Sequence, residues 1–178
     1  YSHFATNARG VAALTNMPAD ANAASRTDDD GRIAAVQLRA AGRDIVLISA
    51  YAPNVSATRE AKAAYCSFAD KLRNILTWAR GLGDDFGLML MGDFNLCLGP
   101  NDFSGPAPDH PEETINKLED VLADFELIDL ERCLADPEGP LYTWSRQGTF
   151  RRLDYAFASV NMLDTVQAVI KRHSDVSD

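Results

Sequence analysis

FGLMLMGDFN, residues 86–95, is the stretch on which the fold turns. Residues 86–91 form a continuous apolar run of strand length with no helical spacing, which reads as a buried strand. The run ends directly on Gly92, Asp93, Phe94 and Asn95. Polar side chains at the carboxyl end of a buried strand are where α/β folds place their chemistry. On an extended segment a carboxylate and an amide two residues apart point the same way, so Asp93 and Asn95 form a natural pair.

Upstream, residues 31–51 hold two apolar runs of strand length separated by a turn around Ala41 and Gly42, the pattern of a hairpin whose second strand is buried and exits at Tyr51. Pro53 stops it, and Ser56 is positioned to cap a helix. The apolar positions of that helix, from Ala61 through Tyr65, Phe68, Leu72 and Leu76 to Ala79, recur at three and four, and Gly81 and Gly83 end it. Farther upstream, residues 9–15 read as a short strand, and the polar segment running to Asp28, Asp29 and Asp30 as a mobile surface loop.

Downstream, a Gly, Pro and Asp loop over 99–111 leads to a helix expected at 112–125, with Ile115, Leu118, Val121, Leu122 and Phe125 inward and its carboxylates on a solvated outer face. Short strands are expected at 141–145, 153–159 and 165–171. The irregular alternation of strands and two long helices suggests stacked mixed sheets with helices outside, in a single α/β domain spanning 1–178.

Of the 178 residues, 46% are hydrophobic and 24% charged, a globular balance, and no apolar run approaches the roughly 20 residues of a membrane span. Cys66, Cys97 and Cys133 are too widely spaced for a zinc site or a disulfide framework and read as reduced thiols in or near a core of an intracellular protein. The net charge of -9 comes from one place, because residues 101–140 carry 12 acidic and 2 basic side chains while the remainder is close to neutral. This balance argues against a generic nucleic-acid coat but not against an enzyme that meets a polyanion on one face.

Four segments place polar groups at strand ends: YAPN at 51–54, GDFN at 92–95, RRLDY at 151–155 and the closing SD at 177–178. Together they resemble the endonuclease/exonuclease/phosphatase superfamily, the metal-dependent group of abasic-site endonucleases, DNase I-like nucleases and sphingomyelinases. SHFATNARGVAAL at 2–14, MGDFNLCLGPNDFSG at 91–105, FELIDL at 125–130 and YTWSRQGTFRRLDYAFAS at 142–159 are most similar to the endonuclease domain of non-LTR, LINE-type retrotransposons. The resemblance implies an α/β fold with a two-layer β-sandwich flanked by helices, of the DNase I type. Against that pattern residues 1–178 lack the first strands, the last strand, a metal-binding Glu and the final His, so the chain by itself is expected to be inactive.

The roles follow from the resemblance position by position. Asp93 matches the carboxylate that orients or deprotonates the attacking water, Asn95 the amide that holds phosphate and nucleophile, and Tyr51 the tyrosine that donates a hydrogen bond to the scissile phosphate. Asp154 matches the carboxylate that orients a histidine, and Asp178 the Asp of a Ser-Asp-His motif that places metal and histidine, with Asp175 as its rival. The implied cofactor is Mg²⁺, with Mn²⁺ as substitute, since hard oxygen ligands suit it. Arg146, Arg151 and Arg152 are candidate phosphate contacts. Trp144 reads as a structural aromatic under the site, His173 as a surface residue, and His3 and His110 carry no assigned role.

The implied activity is nicking of DNA so that a 3′ hydroxyl primes reverse transcription. The partners would be DNA in the nucleus and a reverse-transcriptase domain of the same polypeptide, with no membrane. The alternatives are a cellular member acting on abasic DNA, RNA or small phosphoesters, and a catalytically dead binding remnant.

Overall fold

The computed structural model describes residue 11 and residues 23–40, 42–83, 85–134 and 139–166. The strand expected at 9–15 falls, apart from Val11, outside the described residues, as do His3, His173, Asp175 and Asp178.

The hairpin forms as its two apolar runs demand: β2 (Ile33–Ala40) pairs antiparallel with β3 (Arg43–Tyr51), and Gly42 takes φ 78° in the turn between them. The polar segment before it is ordered at its end. Ser25–Thr27 is a strand, β1, paired with β2, and the Asp28 carboxylate closes the connecting turn by accepting from the N–H groups of Arg32 and Ile33, both at 2.7 Å. The loop expected there stops at a hairpin because Asp28 supplies the acceptors that a three-Asp run otherwise leaves in water.

Helix α1 (Arg59–Arg80) is capped by Thr58, whose hydroxyl accepts from Ala61 N–H at 3.2 Å. Ser56, the cap expected from the sequence, instead bonds the Thr58 hydroxyl at 3.1 Å. The chain then enters β4 (Gly87–Asp93), parallel to β3, so α1 is the crossover that a parallel pair requires. After the short strand β5 (Phe103–Ser104) comes α2 (Glu112–Asp124), whose Thr114, Leu118, Val121 and Leu122 are buried while Glu112, Glu113, Glu119 and Asp120 face solvent as expected.

Two elements follow that periodicity did not reveal, β6 (Leu127–Asp129) and the five-residue α3 (Leu130–Leu134). The last strands are β7 (Trp144–Arg146), β8 (Thr149–Arg151) and β9 (Asp154–Ser159). Thr165 and Val166, where a strand was expected to begin, instead close a turn by donating to Met162 O.

A six-stranded sheet runs β1-β2-β3-β4-β9-β6, and a separate three-stranded sheet runs β5-β8-β7. This is the mixed α/β arrangement expected. One face of the large sheet, carrying Val46, Ile48, Leu88, Leu90, Tyr155 and Phe157, packs with Tyr65, Phe68, Leu72 and Leu76 of α1 and with α2 in the main core. The opposite face holds a smaller cluster of Ile45, Leu130, Ala158 and Met162. Cys97 is buried and Cys66 half-buried, but Cys133 is exposed, away from the core position expected of it.

At the carboxyl end of β4, Gly92 has φ 151°, and a Cβ there would lie 1.8 Å from Ala50 O. Only glycine lets β3 and β4 close at this level, one residue before Asp93.

Beneath the same end sits a buried charge. Arg152 is 0% exposed, forks onto Asp129 at 2.6 and 2.7 Å, and donates to Glu131 at 2.8 and 3.2 Å, with Asp102 at 3.5 Å. Burial alone would push its pKa down, but Asp129, then Asp102 and Glu131, overcome that and hold it up. Removing one partner of such a cluster leaves uncompensated carboxylates, which costs about 3–5 kcal/mol. Arg152→Ala should therefore lower unfolding stability in urea by about that much, while Arg151→Ala changes it by under about 1 kcal/mol; equal effects of the two would contradict the assignment of Arg152 to the core.

Candidate active site

The strand register assembles the site. Tyr51 pairs with Asp93 across β3 and β4, and Asp93 pairs with Asp154 across β4 and β9, so the three lie abreast at one edge of the large sheet. Because side chains alternate along a strand, all three fall on the face opposite α1 and α2. Sequence reasoning named each of them, and the structure brings them together.

The backbone at this edge is tied down from three sides. Ala52 N–H donates to Asp93 O at 2.8 Å, Phe94 N–H donates to Leu153 O at 2.7 Å, and the buried Tyr65 hydroxyl donates to Phe94 O at 3.0 Å. The Thr143 hydroxyl accepts from the N–H groups of both Leu153 and Asp154, at 3.0 and 3.1 Å, which sets the start of β9. Asn95 takes φ 49°, a left-handed conformation that Asn tolerates, and is held there by its own N–H on Asp93 Oδ1 (2.8 Å) and its side-chain amide on Ala52 O (2.9 Å). Arg32, which the sequence did not single out, lies over the Tyr51 ring at 5.6 Å and donates to Tyr51 O at 3.1 Å.

Electrostatically, Asp93 stands apart. Burial pushes its carboxyl up to about 6; the Asn95 N–H opposes this and the Asp154 carboxylate adds to it. A carboxylate near 6 retains its proton affinity close to neutral pH, which is what a general base requires.

Beside this corner a cleft of about 280 Å³ opens. Its wall is shared by Asn54, Asn95, His110, Thr149 and Arg151 with Val55, Trp144 and Leu153, and more of it is apolar than polar. Trp144 is 41% exposed on that wall, so it is not the aromatic beneath the site that its sequence context suggested. Arg151 also lines the cleft, anchored by donating to Ser104 O, Phe150 O and Pro106 O. Arg146 is exposed on β7. Arg152 is corrected: its guanidinium is enclosed by Asp129, Glu131 and Asp102, with its carbon 4.4 Å above the Tyr155 ring, and has no face left for a phosphate.

His110 was passed over because it sits in a loop, yet it lines the cleft, and both of its ring nitrogens are shut off from solvent without a hydrogen-bond partner. Only its position three-dimensionally beside Asn95 and Trp144 gives it away; nothing in its sequence neighbourhood does.

The oxygen-rich donor chemistry of the corner fits Mg²⁺, which keeps most of its water and takes one or two carboxylates. Among the described residues no group of three or more His, Cys, Asp or Glu side chains is placed to hold a metal ion.

Solved structures share this fold. The chain aligns with an AP endonuclease from Archaeoglobus fulgidus at TM-score 0.63 and 19% identity, over 76% of this chain and 55% of that one. It aligns with the AP endonuclease LMAP of Leishmania major at TM-score 0.63 and 21% identity, over 88% and 53%. It also matches a Neisseria 3′ phosphatase, NExo, solved with product DNA hairpin, at TM-score 0.55 and 22% identity, over 77% and 55%. Among curated proteins it is similar to the Transposon TX1 uncharacterized 149 kDa protein of Xenopus laevis, 25% identical over 152 residues, which is 83% of this chain and 11% of that protein. The chain thus spans about half the length of those solved structures and a small part of the transposon protein. With the row of Tyr51, Asp93 and Asp154 in place and a family model matched over residues 1–178, the chain belongs to the Endonuclease/Exonuclease/phosphatase family.

Proposed function

We propose that this chain is the nuclease portion of a retrotransposon protein, hydrolysing a phosphodiester to nick DNA in the nucleus and leave a 3′ hydroxyl from which a reverse-transcriptase domain of the same polypeptide extends. The observation that carries the hydrolytic part is the row of Tyr51, Asp93 and Asp154 with Asn95 folded back onto Asp93. The similarity to the TX1 transposon protein supports the retroelement part.

In this reading Asp93 takes or orients the proton of the attacking water, at a carboxyl that burial and Asp154 keep near 6. Tyr51 donates to a phosphate oxygen, and the side-chain amide of Asn95, on a backbone already locked, holds the phosphate without reorganising. Asp154 orients the histidine that the family motif places after Asp178, and Asp178 is the carboxylate assigned to the metal. Mg²⁺, or Mn²⁺ in its place, would neutralise charge on the phosphate oxygens. Arg151 and Arg146 offer cations to the flanking backbone.

The test is nicking of supercoiled plasmid by the protein expressed from its whole reading frame. Asp93→Ala and Asn95→Ala should each lower the rate by about two orders of magnitude or more, with EDTA abolishing it. Cleavage confined to abasic DNA would shift the reading to a cellular repair enzyme, and DNA binding without cleavage to a binding remnant.

A second outcome follows from the raised carboxyl. Its ordinary value is 3.8 and its folded value about 6, so as pH rises through that window the unfolded chain ionises first and stability is lost. Without metal, Asp93→Asn should therefore make the fold more resistant to urea above about pH 7 and leave it unchanged below about pH 4; a variant less stable at both would contradict the burial cost placed on Asp93.

A further inference from the structure

We infer that Tyr65 is a positioning residue for the hydrolytic row, its hydroxyl holding Asn95 against Asp93 through the peptide group that joins Phe94 to Asn95. The inference deepens the nuclease reading and rests on it. Tyr65 lies on α1 and is 0% exposed, so it cannot meet a substrate itself. Its effect has to travel through the backbone.

A planar peptide group carries its C=O and its N–H on opposite sides, and both sides of this one are taken. Phe94 O accepts from the Tyr65 hydroxyl at 3.0 Å, and Asn95 N–H donates to Asp93 Oδ1 at 2.8 Å. Because the plane is rigid, the two bonds fix a single orientation between them. Donation to the carbonyl also polarises the group and strengthens its N–H as a donor. On either side the chain is already anchored, Phe94 N–H on Leu153 O at 2.7 Å and the Asn95 side-chain amide on Ala52 O at 2.9 Å. Rotation of the plane between those anchors is the motion the two bonds oppose.

Asn95 supplies a drive for that rotation. Its φ of 49° lies in the left-handed region, and turning the Phe94–Asn95 plane over would return it to the negative range. The same turn would carry Asn95 N–H away from Asp93 and bring a carbonyl oxygen toward the carboxylate. Tyr65 withholds that relief by keeping Phe94 O on the helix side of the sheet.

The residue type at position 65 agrees. A core position on a helix asks only for an apolar ring, as Phe68 shows one turn on, its ring 5.8 Å from that of Tyr65. A hydroxyl added there costs stability unless it is bonded, and this one is spent on the turn that carries Asp93 and Asn95. Burial, and after it the Asp93 carboxylate, raise the pKa of the hydroxyl, so it keeps its proton and remains a donor.

The test has a spectroscopic and a kinetic arm, both on the protein expressed from its whole reading frame. Labelling Phe at the carbonyl carbon and Asn at the nitrogen selects Phe-Asn peptide groups in NMR, and residues 1–178 hold a single one, Phe94–Asn95. In EDTA its amide proton should exchange slowly with deuterium in the unsubstituted protein; in Tyr65→Phe it should move upfield and exchange at least about tenfold faster. With Mg²⁺, Tyr65→Phe should lower kcat for plasmid nicking about tenfold and leave KM within about twofold, since the hydroxyl meets no substrate. Leu72→Ala, which empties a core site two turns along α1, should destabilise the fold in urea at least as much yet keep the amide shift and kcat. Fast exchange in the unsubstituted protein, an amide signal that Tyr65→Phe leaves in place, or a kcat loss matched by Leu72→Ala would each overturn the proposal. If the unsubstituted protein with Mg²⁺ cuts no DNA, the nuclease reading fails separately, and the amide signal still decides whether Tyr65 holds this peptide.

Discussion

A guanidinium taken out of water must find its counter-charges, and Arg152 finds them in two segments far apart in the chain: the loop after β4 with Asp102, and the β6–α3 junction with Asp129 and Glu131. Arg152 also precedes β9 by two residues, so satisfying its charge sets where β9 begins. The Tyr155 hydroxyl extends the same cluster, lying within 3.1 Å of Leu96 O, Asp102 Oδ2 and Arg152 O while accepting from Leu98 N–H. Because a half-satisfied buried network is worse than none, the loop, β6 and β9 are held together or not at all.

The site inherits this rigidity. With β9 fixed, Asp154 arrives opposite Asp93, and with Gly92 allowing close approach of β3, Tyr51 arrives on the other side. The result is a carboxylate corner, where burial and then like charge keep a proton close, beside a cleft that Asn95 and Leu153 also line.

Much of this was legible in the chain. The hairpin at 33–51 and the two long helices carry their own periodicity, and GDFN after an apolar run gains meaning from YAPN and RRLDY at the ends of other strands. What escaped depends on partners distant in sequence. Strand β6 has three residues and owes its form to pairing with β9, leaving no pattern of its own to read. Arg152, next to Arg151, looked like half of a basic cluster; its partners lie 21 and 23 residues upstream and farther, so local charge gave the wrong face. Asp102, Asp129 and Glu131 were for the same reason read only as part of the acidic stretch 101–140, whereas they turn inward. His110 and Trp144 were undervalued because a loop residue and an edge-strand aromatic declare a role only when another sheet comes alongside.

Burial of Asp93 at the end of β4 raises its carboxyl, and the β4–β9 register adds to that by setting the Asp154 carboxylate beside it. Carbon-13 NMR of the side-chain carboxyls, titrated without metal, reads this directly. Asp93 should titrate near 6 and fall only slightly when Asp154→Asn removes the neighbouring charge, because burial holds most of the shift. An Asp93 midpoint near 3.8 in the unsubstituted protein would contradict the claim.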